Sequence, residues 1–223
     1  MRSPHLHNLP RQPASNSKGA TIQGAQAGFS LIIVLLILVV VSILGVGGIQ
    51  ISMMAERATR NDRDLQVAWQ SAEAALIDAE LDILGQPASA PTKRSEIFDR
   101  KATQFSKFIL GCGKSGEGKS FGLCAPSTAP DIKPDWLTAD FSETGTNANT
   151  VDFGKFTGRA FQAGGAGLQP AAVPRYVIEI IEENSSSRTK PPNSPKDYIY
   201  RVTALGYGPS ANTQAVVQMI YRN

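Results

Sequence analysis

The chain of 223 residues has no acidic residue before Glu56 and no charge of either sign between Lys18 and Glu56. So long a gap excludes an ordinary water-facing segment and asks for a lipid environment. Histidine is scarce too: only His5 and His7 occur, both ahead of the gap. A catalytic triad or general base built on imidazole therefore has no histidine to use in the part that follows. Cys112 and Cys124 are the only cysteines, too few for a structural zinc site with no histidine beside them. The net charge is +3, and beyond the uncharged stretch the two signs are interspersed, so no basic patch marks a nucleic-acid partner.

What is present starts at Gly28-Phe29-Ser30-Leu31-Ile32-Ile33 and stays almost wholly apolar through Ile49. This is close to the ~20 residues a helix needs to cross the hydrocarbon of a bilayer. Arg2, Arg11 and Lys18 precede it, so the leader is expected in the cytoplasm and the remainder outside it. A secretory signal has a shorter apolar core, about 7–15 residues, and a small-residue site beyond it. Here the expected cleavage lies at Gly28-Phe29, before the helix, which is retained. The leader, with Pro4, Pro10, Pro13 and no apolar periodicity, is expected to be disordered until removed. The expected domains are the leader at 1–28, a membrane half-helix at 29–52, an amphipathic half-helix at 53–85 and a globular head at 86–223.

No turn signal separates the two half-helices. From Leu65 apolar residues recur at Trp69, Ala72, Leu76, Ala79 and Ile83, with Asp78, Glu80 and Asp82 expected elsewhere on the wheel. Gly85 followed by Pro87 predicts the stop, giving one helix on the order of 80 Å. Inside it Gly45, Gly47 and Gly48 each cost about 1 kcal/mol relative to alanine. Two readings stay open for them: close packing in a membrane, or a weak patch that stretches when the subunit leaves lipid.

Beyond the stop, Ser95 to Leu110 predicts a short helix. Pro126, Pro130 and Pro134 predict extended chain, Trp136 an anchor, and Thr144 to Thr150 and Gly164 to Gly167 loops. Three runs rich in β-branched and aromatic residues, Arg175–Ile181, Tyr198–Leu205 and Ala215–Tyr221, predict an antiparallel meander. They are separated by turn clusters at Asn184 to Lys196 and Gly206 to Asn212. The fold class is α+β, the helix stripe covering one face of a small sheet.

The two cysteines, in an exported segment, predict a disulfide worth about 3 kcal/mol in the chain-entropy model. Between them, Gly113 to Ser120 matches G-x-x-x-x-G-K-[ST], which in a nucleotide site joins a strand to a helix. Neither flank fits, since Phe121-Gly122-Leu123-Cys124-Ala125-Pro126 cannot carry a long helix, and a disulfide-closed surface loop is expected instead. Glu73, Glu80, Glu179 and Glu182 are expected at the surface. No catalytic, cofactor-binding or metal-ligating residue is assigned.

The Gly-Phe junction resembles the class III signal of type IV pilins and pseudopilins, which a prepilin peptidase cuts after glycine before methylating the new terminal phenylalanine. Glu56 to Asp82 is similar to the corresponding segment of PilX-type minor pilins, whose hallmark Q-A-A-E-A-A-L-x-D-A-E appears here as Gln70-Ser71-Ala72-Glu73-Ala74-Ala75-Leu76-Ile77-Asp78-Ala79-Glu80. Gly122-Leu123-Cys124, Pro174 to Glu179, Tyr200 to Gly206 and Val216 to Tyr221 extend the resemblance to the end of the chain. It implies a subunit anchored in the bacterial inner membrane and then carried into the pilus. The implied partners are other minor pilins, the major pilin, the prepilin peptidase and, as a further candidate, a tip adhesin of the PilY1 type. Cell adhesion and twitching motility are the processes implied. Major pilins carry glutamate at the fifth mature position, where this chain has Ile33; in that it is similar to the tip-type K pseudopilin of type II secretion. A type II secretion pseudopilin is the alternative of the same architecture, and a membrane-anchored periplasmic enzyme the alternative of another class.

Overall fold

The computed structural model describes residues 29–99, 103–126, 133–183 and 197–222. The leader, with Gly28, and the turn cluster at 184–196 lie outside the described residues. The chain divides into two units, one ending at Met53 and one starting at Met54.

Helix α1 spans Phe29–Leu84. In the first unit its aliphatic side chains from Leu31 to Ile51 are exposed around the whole circumference. An all-apolar helix with no covering protein is what lipid selects. It is the one helix among the described residues long and apolar enough to cross a membrane.

In the second unit, α1 is stopped as expected. Gly85 sits at φ 69°, its N–H bonds Asp82 O at 3.1 Å, and Gln86 N–H bonds Leu81 O at 2.8 Å. This pair of bonds is a Schellman cap, which satisfies carbonyls the helix leaves open. The buried face of α1 differs from the expected stripe. Leu65 and Trp69 are 45% and 49% exposed, whereas Ala68, Ala72, Ala75, Leu76, Ala79 and Ile83 are buried. Ser71, Asp78 and Asp82 are buried beside them, a second row at steps of seven and four on the flank of the first. The reason is the closeness of the sheet: a Cβ added to Gly206 would meet Ala72 N at 2.2 Å and Ala68 O at 2.3 Å. Only alanine-sized side chains fit in that gap, so Trp69 turns outward, its indole N–H donating to Glu73 Oε1 at 2.7 Å.

Among the described residues the sheet has five strands: β1 Leu123–Cys124, β2 Val151–Asp152, β3 Arg175–Glu183, β4 Asp197–Tyr207 and β5 Gln214–Tyr221. β3, β4 and β5 form the expected antiparallel meander, Ile178 opposite Val202 and Val202 opposite Met219. Two short strands not foreseen pair with the other side of β3: β1 in parallel at Ile178 and Glu179, β2 antiparallel at Arg175 and Tyr176. The Ser95 to Leu110 segment is not one helix. It makes two 3-10 turns, Ser95–Phe98 and Phe105–Lys107, that drop Ile97, Phe98 and Phe108 into the core beside Tyr200.

The inner face of the sheet shares its core with α1, through Tyr176, Ile178, Ile180, Tyr200, Val202 and Ala204. The outer face is covered by the segment holding the one-turn helix α2 Asp135–Thr138, with Phe141, Val177, Leu205 and Tyr207 buried beneath it. β3 is therefore buried on both faces over Arg175 to Ile180.

Candidate functional site

Two regions hold the candidate residues and the buried charges: the exposed half of α1, and the polar contacts that the head makes with the remainder of the helix. In the first, Phe29 begins the helix and Ile33 is exposed upon it. Gly45, Gly47 and Gly48 are helical, and a Cβ at any of them would meet nothing within 4 Å. Among the described residues no neighbour requires glycine there.

In the second, the acidic residues of α1 are structural. Asp82 accepts from Arg94 Nε at 2.9 and 3.0 Å and from Arg94 Nη2 at 2.6 Å. The Tyr176 hydroxyl donates to the same carboxylate at 2.8 Å. Arg94 is fully buried. Its remaining nitrogen donates to Lys119 O at 3.1 Å and Phe121 O at 2.6 Å, and its guanidinium lies 3.7 Å over the Phe156 ring. Every charge in this group is matched, which low-dielectric burial demands. Burial, and then the Asp82 charge, push the Tyr176 phenol well above its ordinary range, so it stays a donor.

One turn earlier, Asp78 accepts from Gly154 N–H at 2.7 Å and Thr157 Oγ1 at 2.6 Å, with Arg159 Nη1 at 3.5 Å. Two carboxylates four residues apart thus tie the 94, 119–121 and 154–159 segments to one helix. Sequence reasoning missed both, because a carboxylate on a helix is usually solvated; the i,i+4 spacing within a row of small residues was the available signal. Burial raises the Asp78 carboxyl above its ordinary 3.8, opposed by the bonds from Thr157 and Gly154 and by Arg159. A carboxyl raised in the folded state adds stability that is full below its unfolded value and lost as pH rises through the folded one. Denaturant midpoints of the unit from Met54, taken between about pH 4 and pH 7, should show the native protein losing ground to Asp78→Asn as pH rises. A gap that moves the other way contradicts this.

Glu179 also departs from expectation. It is 3% exposed, bonded by Arg201 Nε at 3.0 Å, while Arg201 faces the Trp136 ring at 5.5 Å. The cover over the outer face buries what alternation alone assigns to water. Glu73 and Glu182 are exposed as expected, and Glu80 is half-buried.

Cys112 and Cys124 form the expected disulfide. The octapeptide between them makes 3-10 turns over Ser115–Ser120, kinked at Glu117 and Gly118. Glu117 Oε2 takes the Lys114 N–H at 2.7 Å and Lys119 pairs with Glu96. A carboxylate thus occupies the loop backbone where a phosphate site would leave its N–H groups free. Residues 27–76 match the model of the PilX N-terminal family, and residues 110–223 that of the C-terminal part of type IV pilus assembly protein PilX.

The chain belongs to the PilX family. The N-terminal match covers the exposed half of α1 and its small-residue row as far as Leu76. The C-terminal match covers the disulfide loop and all five strands. Membership in PilX makes this a type IV pilus assembly protein of a structural pilin family. No curated protein and no solved structure matches the chain.

Proposed function

We propose that this PilX-family chain is a minor pilin that primes assembly of the type IV pilus and is incorporated at or near the fibre tip. Its leader faces the cytoplasm and its head the periplasm while α1 holds it in the inner membrane. A prepilin peptidase cuts between Gly28 and Phe29 and Phe29 is methylated. The chain then joins other minor pilins, beneath which the major pilin is added, and a tip adhesin is its further partner.

The observation that carries the tip position is Ile33. A carboxylate in lipid is costly unless paired, and a subunit that docks beneath another gains that pairing from its neighbour's terminal amine. With Ile33 in that place the chain needs no subunit above it. The glycines at 45, 47 and 48 are where the helix lengthens on leaving lipid, since each weakens it by about 1 kcal/mol.

Gold labelling of the head on sheared pili tests the position. Label confined to one end of each fibre is expected, and Ile33→Glu should disturb the composition of the tip complex. Label spread evenly along the fibres would refute the tip position, as would an Ile33→Glu variant with unaltered tip stoichiometry and piliation.

A further inference from the structure

Among the described residues β5 is the free edge of the sheet, paired only with β4. From Gln214 to Tyr221 it has no charge, no proline and no glycine. Soluble domains protect such an edge with lysine, proline, a bulge or a covering element, and among the described residues no backbone bond from outside β4 reaches it. The edge is also unfinished on both faces. Val216 and Ile220, on the outer face, are 51% and 58% exposed, because the layer over Val177 and Leu205 stops short of them. Val217, Met219 and Tyr221, on the inner face, are only partly buried against the main core.

We propose that β5 is a docking edge for an extended, uncharged strand from another subunit of the pilus assembly, which continues the sheet by main-chain pairing. The inference rests on the pilus-assembly reading above. An incoming strand meets the open N–H and C=O groups, and its alternate side chains cover Val216 and Ile220 on one face and Val217 and Met219 on the other. A charge within that strand would be buried against these side chains without a partner, so the occupant matches β5 in having none.

Two nearer occupants are disfavoured. The chain's own 184–196 segment contains three prolines, Arg188, Lys190 and Lys196, and no aliphatic residue, so it brings charges and no apolar side chain to cover β5. A second copy pairing edge to edge does so about a twofold axis normal to the sheet. Along β5, α1 runs in the same sense: Gly206, opposite Ala215, touches Ala68 and Ala72, and Glu80 lies near enough to Tyr221 for its charge to act on the phenol. The twofold would set the parts of α1 from Met54 onward antiparallel in the two copies, so the chains would leave the paired heads in opposite directions, which suits no pair anchored in one membrane.

The test is hydrogen exchange on the full processed chain in detergent, alone and after co-expression and purification with the other minor pilins. In the chain alone, the edge-facing β5 amides exchange freely; in the complex they are expected to slow by about 100-fold or more. The Val216→Lys, Ile220→Lys double variant changes only exposed side chains. It should keep the native melting temperature and lose about tenfold in co-purified pilins, while Leu110→Lys, on another exposed apolar residue, loses nothing. A native chain that binds the pilins with β5 still exchanging freely overturns the edge proposal alone. So does β5 protection that grows with concentration in the isolated chain, which would assign the edge to a second copy. A native chain that binds no pilin removes the assembly reading and the proposal with it.

Discussion

Asp82→Ala is expected to unfold the head at ambient temperature or leave it barely folded. The substitution leaves the Arg94 guanidinium fully buried, with two backbone carbonyls and the Phe156 ring but no anion, and takes the acceptor from Tyr176. Breaking a buried ion pair from one side costs about 3–5 kcal/mol, against a total of about 5–15 kcal/mol for a domain. The control is a double variant, Asp82→Leu with Arg94→Met. It removes both charges together and is expected to recover most of the loss, since a buried pair is often no better than apolar groups of its volume. Denaturant unfolding of the unit from Met54 reads both. A single variant within about 1 kcal/mol of the native protein would mean the pair is not what holds the segments to α1.

Gly206→Val is the second large effect. The added Cβ would lie 2.2 Å from Ala72 N and 2.3 Å from Ala68 O, and both obstacles are helix backbone that cannot turn aside. Overpacking usually costs about 1–3 kcal/mol when side chains can give way, so a larger loss is expected here, with α1 forced from the sheet and Ala68, Ala72 and Ala75 becoming accessible. Gly45→Ala is the contrast. With nothing within 4 Å of the added carbon, it should leave the head's unfolding midpoint unchanged while favouring the helix locally by about 1 kcal/mol.

The difference between these glycines shows what the sequence could and could not say. α1, its cap at Gly85 and the β3 to β5 meander were legible because each rests on a local signal: apolar length, a left-handed stop, alternation between turn clusters. The face that α1 buries was not. A 3.6-residue period finds a stripe, but choosing between Trp69 and Ala68 depends on how closely Gly206 lets the sheet approach, which only the assembled pair decides. The same holds for Asp78, Asp82 and Glu179: their partners Thr157, Arg94 and Arg201 lie on other elements of the fold. β1 and β2, two residues each, carry no pattern long enough to recognise. Part of the small-residue row lies within the Gln70 to Glu80 block that resembles PilX, so Ala72, Ala75, Ala79 and Asp78 have a physical explanation in the packing of the head. The candidate assembly residues rest on other signals: Phe29 opens the apolar run and the three glycines interrupt it, whereas Ile33 is as apolar as its neighbours and stands out only by the resemblance to pilins.

A minor pilin requires α1 to be a retained, processed helix rather than a discarded signal or a plain anchor. Intact-mass and fragment spectra of the chain purified from cells with a working prepilin peptidase test this most directly. The expected N-terminus is Phe29 bearing one N-methyl group, with the unprocessed chain accumulating when the peptidase is deleted. A chain that keeps its leader with the peptidase present, or one cut beyond the apolar run, would contradict the minor-pilin role.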